Sequence, residues 1–285
     1  RLFMLFDPDY IGYNMDYSQG ENRIVAYAGP VPEMIEAFEN KLDVHSLTAS
    51  LITGGTYSPT EIKEQDKADV KCHLGGGMYT WRYWGKKANH GLNYDLGPNS
   101  FAEYYEIEYA ESKFIVDRYH QVYPGVRQGF QQQIRDSLSK NRTVVNPMGR
   151  KILFLDRWGD TLFKNAYASF PQSTIADMIN EYGLAYIQSN QDLFHPVELL
   201  LQVHDSIVFQ IPRSLPLIDH ARILLAIKRN LETPITWKAR TFSIPVDIQV
   251  STTNMSKGKG GGLKELTSDS YSSTEVLAQK IKEML

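Results

Sequence analysis

The stretch Val197–Pro212, VELLLQVHDSIVFQIP, decides the fold. Two apolar runs flank His204, Asp205 and Ser206, the pattern of two antiparallel strands joined by a tight polar turn. Runs this apolar predict strands lying in the core, and the turn lifts one carboxylate, Asp205, out between them. Taken alone, an Asp beside a Ser at a turn needs no further explanation, because both side chains bond to nearby backbone.

Working outward, the spacing predicts a helix over Leu217–Leu231, a strand over Phe242–Val250, and a glycine-rich linker, Ser256–Gly262, leading to a final amphipathic segment. Upstream, a helix is expected over Gln172–Ser189. Before it, RTVVNPMGRKILFL alternates like strands around a turn at Asn146–Gly149. The middle of the chain is helical in pattern: Val31–Ile52, a start at Ser58 before Pro59, Met78–Tyr94 after the run Gly75–Gly76–Gly77, Phe101–Tyr119 and Val126–Leu138. The opening stretch, to about Ala28, suits a strand followed by a short helix, closed by Gly29 and Pro30.

At 285 residues and 42% hydrophobic, the chain is long enough for one large domain or two modest ones. The single cysteine, Cys72, rules out an internal disulfide framework, and no run of about 18 apolar residues offers a membrane span. A soluble, intracellular protein is expected. The sequence opens on Arg1 within RLFMLF, so a piece of a longer protein is also expected. Thirty Lys and Arg against 33 Asp and Glu leave a net charge of -3, which gives no global sign of nucleic-acid binding. Basic surface must be local, as at Arg82, Lys86 and Lys87, or at Lys140, Arg142, Arg150 and Lys151.

Two further segments carry chemistry. DYSQGENR, Asp16–Arg23, places one carboxylate at the end of a strand and a second, Glu21, just beyond it. An Asp before Tyr and Ser is also an ordinary helix start. However, one antiparallel sheet brings the ends of this strand and the hairpin together, and two carboxylates sharing a site repel unless divalent cations intervene. Arg82, Lys86, His90 and Tyr94 recur every four residues and line one helix face, each about 6 Å from the last. Two cations followed by two flat rings suit a triphosphate at one end and a base at the other. A surface helix with an aromatic stripe fits the same pattern.

Joint occurrence in order is what separates these readings. DYSQGENR resembles motif A of the family A DNA polymerases, usually DYSQxELR. RYWGKKANHGLNYD is similar to motif B, R-x3-K-x3-F/Y-G-x2-Y, and QVHDSIVF to motif C, QVHDE. DVHSLTA at Asp43–Ala49, YPGV at Tyr123–Val126, SFPQSTIADMI at Ser169–Ile179 and IPVDIQVSTTNM near the end resemble further family segments. The resemblance runs from Arg1 to about Met255.

It implies an α+β right-hand fold: an antiparallel palm sheet (1–29 and 159–255), a helical fingers insertion (30–158, motif B helix about 78–94), and a linker with tail (256–285). It implies template-directed DNA synthesis on primer-template DNA with deoxynucleoside triphosphates, in the cytoplasm of a bacterial or phage-infected cell. Asp16, Asp205 and the Tyr17 carbonyl would bind two Mg²⁺ ions, with Mn²⁺ as substitute. Arg82, Lys86 and His45 would contact the triphosphate, Lys86 also serving as general acid, with Gln19 close by. Glu21 would exclude a ribose 2′-hydroxyl, His90 would lie near the sugar, and Tyr94 beside the nascent pair. Gln172, His204, Arg150 and Lys164 would meet primer-template.

Five positions depart from the pattern. His90 stands where Phe or Tyr is usual, Ser206 replaces the acid that ends motif C, Lys164 and Ala168 replace Arg and Asn, and Asp95 follows Tyr94 where glycine is common. Ser206 invites comparison with single-subunit RNA polymerases, which end motif C the same way but place a small glycine at the position of Glu21. A relative that binds nucleic acid without catalysis is the other alternative.

Overall fold

The computed structural model describes residues 5–256 and 261–285; Arg1–Met4 of the opening apolar run and residues 257–260 of the predicted linker lie outside them. The chain divides into two compact units, Arg1–Gly20 with Thr174–Leu285, and Glu21–Ser173. In chain order the strands are β1 (Tyr10–Tyr17), β2 (Thr143–Val145), β3 (Lys151–Leu153), β4 (Glu198–Val203), β5 (Ser206–Pro212), β6 (Ile235–Trp237), β7 (Arg240–Phe242), β8 (Val246–Ser251) and β9 (Lys264–Glu265).

The first unit is built on an antiparallel sheet ordered β4-β5-β1-β8-β9. Alternation along β1 sends Tyr13, Met15 and Tyr17 to one face and Gly12, Asn14 and Asp16 to the other. The first face packs on the helix Leu217–Leu231, found where the spacing placed it. Two polar contacts fix that packing: the Tyr17 hydroxyl donates to the Leu231 carbonyl at 2.6 Å, and the Tyr13 hydroxyl lies 2.8 Å from Nδ1 of the buried His220. Burial lowers the His220 pKa, and its Nε2 meets the Pro212 carbonyl at 3.0 Å, so the neutral ring donates there and accepts from Tyr13.

The hairpin at Val197–Pro212 forms as read, with one correction. β5 is buried along almost its whole length, but β4 is an edge strand whose Leu199 and Leu201 are 36% and 44% exposed. A register shift between Leu199 and Leu201 leaves Leu200 out of the ladder, and it is Leu200 that packs on Phe6, Val208, Met255 and Leu263. The expected strand Phe242–Val250 is also divided: β6 and β7 make a separate hairpin, and β8 begins after Pro245. The C-terminal segment is folded. β9 pairs with β8, and the helix Thr274–Met284, capped by Ser273, buries Leu277 and Ile281 and packs on Leu217–Leu231.

The second unit is almost all helix around a core that includes Trp84, Phe101, Tyr119, Tyr123, Phe130 and Tyr167. The helix Pro59–Lys67 starts at Ser58 as its sequence suggested, and Ser58 caps it in a reciprocal pair with Glu61. Elsewhere the predicted helices are cut or extended. Val31–Ile52 is two helices, Pro32–Glu39 and Val44–Ile52, because Lys41 takes φ +56° and Asp43 starts the second by accepting from the Ser46 N–H. Phe101–Tyr119 is likewise Pro98–Tyr105 and Tyr109–Val122, parted at Glu106 with φ +54°. Val126–Leu138 begins in a π-wound turn, Val126–Gln131, and runs on to Asn141. The helix expected from Gln172 begins at Asp160.

One helix–helix contact decides the site. A Cβ on Gly85, in the helix Trp81–Leu92, would sit 2.1 Å from the His45 carbonyl and 3.0 Å from the Ala49 nitrogen. Only glycine lets these backbones approach so closely.

Candidate active site

In the sheet unit, Asp16 is the penultimate residue of β1, opposite Ser206 on β5 and Asp247 on β8. Asp205 sits in the hairpin turn, which His204 closes with φ +54°. Its carbonyl accepts from the Tyr17 N–H at 3.0 Å, and Ser18 N–H donates to the Pro245 carbonyl at 2.8 Å. The end of motif A is therefore tied by backbone to motif C on one side and to the loop before β8 on the other. The Ser206 side chain turns back to the Val203 carbonyl at 2.9 Å.

Sequence reasoning missed Asp247. It lies in register with Asp16, accepts a hydrogen bond from Ser18, and has its carboxyl pKa raised by burial first, then by Glu265, with Asp16 adding. The signal was present in IPVDIQV, whose alternation puts Asp247 and Gln249 on one face; Gln249 Oε1 accepts from Asn14 at 2.9 Å there. Among the described residues, no three His, Cys, Asp or Glu side chains converge closely enough to hold a metal by themselves. The donors at these strand ends, the carboxylates of Asp16, Asp205 and Asp247 and main-chain carbonyls, are all oxygen. That set fits a hard cation such as Mg²⁺, which keeps part of its shell for water and substrate oxygens. His204 is exposed and Gln19, at φ +51°, has a buried Oε1 without a hydrogen-bond partner.

In the helical unit, the predicted ladder lies on Trp81–Leu92, which starts at Thr80, whose hydroxyl caps the Tyr83 N–H at 3.2 Å. Tyr94 falls just past the helix, in a turn closed by its N–H to the Gly91 carbonyl. Its hydroxyl donates to Glu21, so a residue of motif A and one of motif B meet. Burial and the Glu21 charge push the Tyr94 pKa well up. Asn93 braces this corner, donating to Asn22 at 2.9 Å and accepting from Tyr119 at 2.8 Å, while Gln131 donates to the Leu92 and Asn93 carbonyls.

His45 is buried beneath the ladder, its ring 6.1 Å from that of His90. Asn89 Oδ1 accepts from Thr48, which turns its amide towards His45 Nδ1 at 3.0 Å. The imidazole accepts there and carries its proton on Nε2. Burial, with Arg82, His90 and Lys86 adding, pushes the His45 pKa far below the usual range against the pull of Asp43. His90 is shifted the same way by desolvation, Lys86 and Lys87. Both rings are neutral near pH 7, so the cations of the ladder are Arg82 and the exposed Lys86.

Arg82 is already engaged. Its Nε and Nη2 donate to Asp43 at 2.6 and 3.3 Å, and Nη1 lies 3.4 Å from Asp66. Burial raises the Asp43 carboxyl, but hydrogen bonds from Arg82 and Ser46 outweigh it and hold the pKa low. Neither acid was singled out in the sequence, since each is 16 or more residues from Arg82, and Asp43 fits a helix start equally well.

On Asp160–Met178, Lys164 is half-buried and Gln172 exposed; the two stand eight residues apart, two ladder steps on one face. Arg150 is exposed on the turn between β2 and β3, which Asn146 Oδ1 holds by accepting from the N–H groups of Met148 and Arg150.

The family model described as DNA polymerase family A matches residues 1–256. DNA polymerase I of Synechocystis sp. is 24% identical over 274 residues, 88% of this chain and 25% of that protein. The DNA polymerase of Mycobacterium phage D29 is 29% identical over 215 residues, 74% of this chain and 30% of that one. In the structure of the POL domain of Pol1 from M. smegmatis, in complex with DNA primer-template and dNTP, 41% of the chain matches 88% of this one, at a TM-score of 0.70 and 22% identity. The fold is thus shared, and the chain spans 25% and 30% of the length of the two curated relatives.

Proposed function

The chain belongs to DNA polymerase family A, and from that premise we propose that it adds deoxynucleoside triphosphates to a primer 3′-hydroxyl under the direction of a template strand. The observation that carries the reading is the junction of two strand ends: Asp16 opposite Ser206, and the Tyr17 N–H bonded to the Asp205 carbonyl. A backbone lock of this kind holds two carboxylates in fixed relation without spending side-chain contacts on it.

In this reading the sheet unit is the palm and the helical unit the fingers. Asp16, Asp205 and the Tyr17 carbonyl would hold two Mg²⁺ ions, with Mn²⁺ as substitute, supplying charge neutralisation at the triphosphate and activation of the primer hydroxyl. Arg82 and Lys86 bind phosphate oxygens, Arg82 through its planar fork and Lys86 as a mobile point charge. Lys86 also gives a proton to the departing pyrophosphate. His45, neutral and protonated at Nε2, contributes a hydrogen bond rather than a charge. By the family resemblance Gln19 would also serve the incoming nucleotide, and His90 would stand by the sugar.

Glu21, held by Tyr94, occupies the space a ribose 2′-hydroxyl would need. The preference for deoxynucleotides follows from that exclusion. Gln172, Lys164, Arg150 and His204 bind primer-template.

Primer extension with Mg²⁺ and either deoxy- or ribonucleotides tests the reading. Template-matched incorporation of deoxynucleotides is expected. Extension with ribonucleotides alone points to an RNA polymerase, and extension with neither removes the catalytic reading.

A further inference from the structure

The three motifs account for Arg82 but not for the two acids that hold it. Asp43 is the firm partner: 10% exposed at its side chain, it bonds Arg82 through two nitrogens and also caps the helix Val44–Ile52. Asp66 is different. It is 31% exposed, its contact with Arg82 is the longest of the three at 3.4 Å, and its other oxygen accepts from the Thr80 hydroxyl at 2.5 Å. It also stands in the last turn of Pro59–Lys67, where the partial negative charge of the helix end disfavours a carboxylate. What keeps it there is Arg82 and Thr80.

Two carboxylates against one guanidinium leave the start of the ladder with a surplus negative charge, one turn before Lys86. Any polyanion approaching Arg82 meets that surplus. Because the Asp43 bonds are shorter and more buried, an incoming phosphate oxygen replaces Asp66 first, at the Nη1 edge, while Asp43 keeps the fork oriented.

We propose that Asp66 is an electrostatic latch on Arg82 that weakens the protein's hold on an incoming nucleoside triphosphate, so that nucleotide affinity is set in part by an acid outside all three motifs. This rests on the reading of Arg82 as a triphosphate contact. Asp66 is a positioning residue, acting through Arg82.

Asp66→Asn removes the charge and keeps an acceptor for Thr80; Asp66→Ala serves as the second variant should the first fold poorly, and Asp66→Glu as the rescue. Single-nucleotide incorporation is followed at saturating primer-template across a range of dNTP. Asp66→Asn is expected to lower KM about threefold to tenfold with kcat within about twofold, an advantage that shrinks as NaCl rises. Asp66→Glu is expected to restore the wild-type KM. Asp43→Asn, by loosening the fork, is expected to raise KM instead. An unchanged or higher KM in both charge-removed variants, or a gain indifferent to salt, overturns the latch while leaving the polymerase reading intact. A wild-type protein that incorporates nothing overturns the polymerase reading, and the latch with it.

Discussion

Glu21 and Tyr94 lie 73 residues apart and share one hydrogen bond, and that bond sets the position of the carboxylate proposed to select the sugar. Truncating Glu21 to Ala is expected to raise ribonucleotide incorporation by at least about tenfold relative to deoxynucleotide, read by single-nucleotide incorporation, because a steric exclusion is lost outright when its bulk is removed. A ratio equal to wild type places the gate elsewhere. His120 gives a second, purely physical test. Both its ring nitrogens are buried without partners, and burial, with Arg127 adding, pushes its pKa to about 4. A folded-state pKa below the unfolded value of 6.5 means that the unfolded chain binds more protons between these limits. The resulting stability is present above pH 6.5 and is lost as pH falls towards 4. Denaturant titrations from pH 7 to 4 are expected to show a shallower acid limb in His120→Leu than in wild type, and identical limbs contradict the shift.

At the scale of elements, the packing of Trp81–Leu92 on Val44–Ile52 determines where the ladder points. Gly85→Ala forces its new methyl against the His45 backbone carbonyl, which cannot swing away, and is expected to destabilise the protein by about 1–3 kcal/mol, seen as a lower midpoint in thermal denaturation. The C-terminal helix makes a separate case. Ile281→Ala removes a fully buried side chain from its contact with Leu217–Leu231 and is expected to cost about 2–5 kcal/mol, although the residue lies beyond the segment matched to the family. Elements whose signal is local were legible: the hairpin around Asp205, the cap at Ser58, the helix Leu217–Leu231. The break at Lys41 was not, because the apolar spacing of Val31–Ile52 runs through it and only a positive φ interrupts the helix. Nor was the exposure of Leu199 and Leu201, since a strand's sequence does not say whether it has a neighbour on both sides.

At the scale of the whole molecule, motif order singles out Asp16, Asp205, Glu21, Arg82, Lys86 and Tyr94 as candidates, because each sits in a short string with its own local chemistry. What the strings left out were partners supplied from a distance. Asp247 reaches Asp16 through strand register, and Asp43 and Asp66 reach Arg82 through helix packing; an acid at a helix end or in a strand carries no local mark of such service. Asp205, at the hairpin tip, and Asp16, opposite Ser206 in register, are the two carboxylates proposed to make phosphoryl transfer possible. Rapid-quench measurement of one dNTP incorporation with Mg²⁺, comparing wild type with Asp205→Asn at equal occupancy of primer-template, tests that role directly. The expected result is a fall in rate of at least about a thousandfold with primer-template still bound; a variant that incorporates at the wild-type rate would contradict the account.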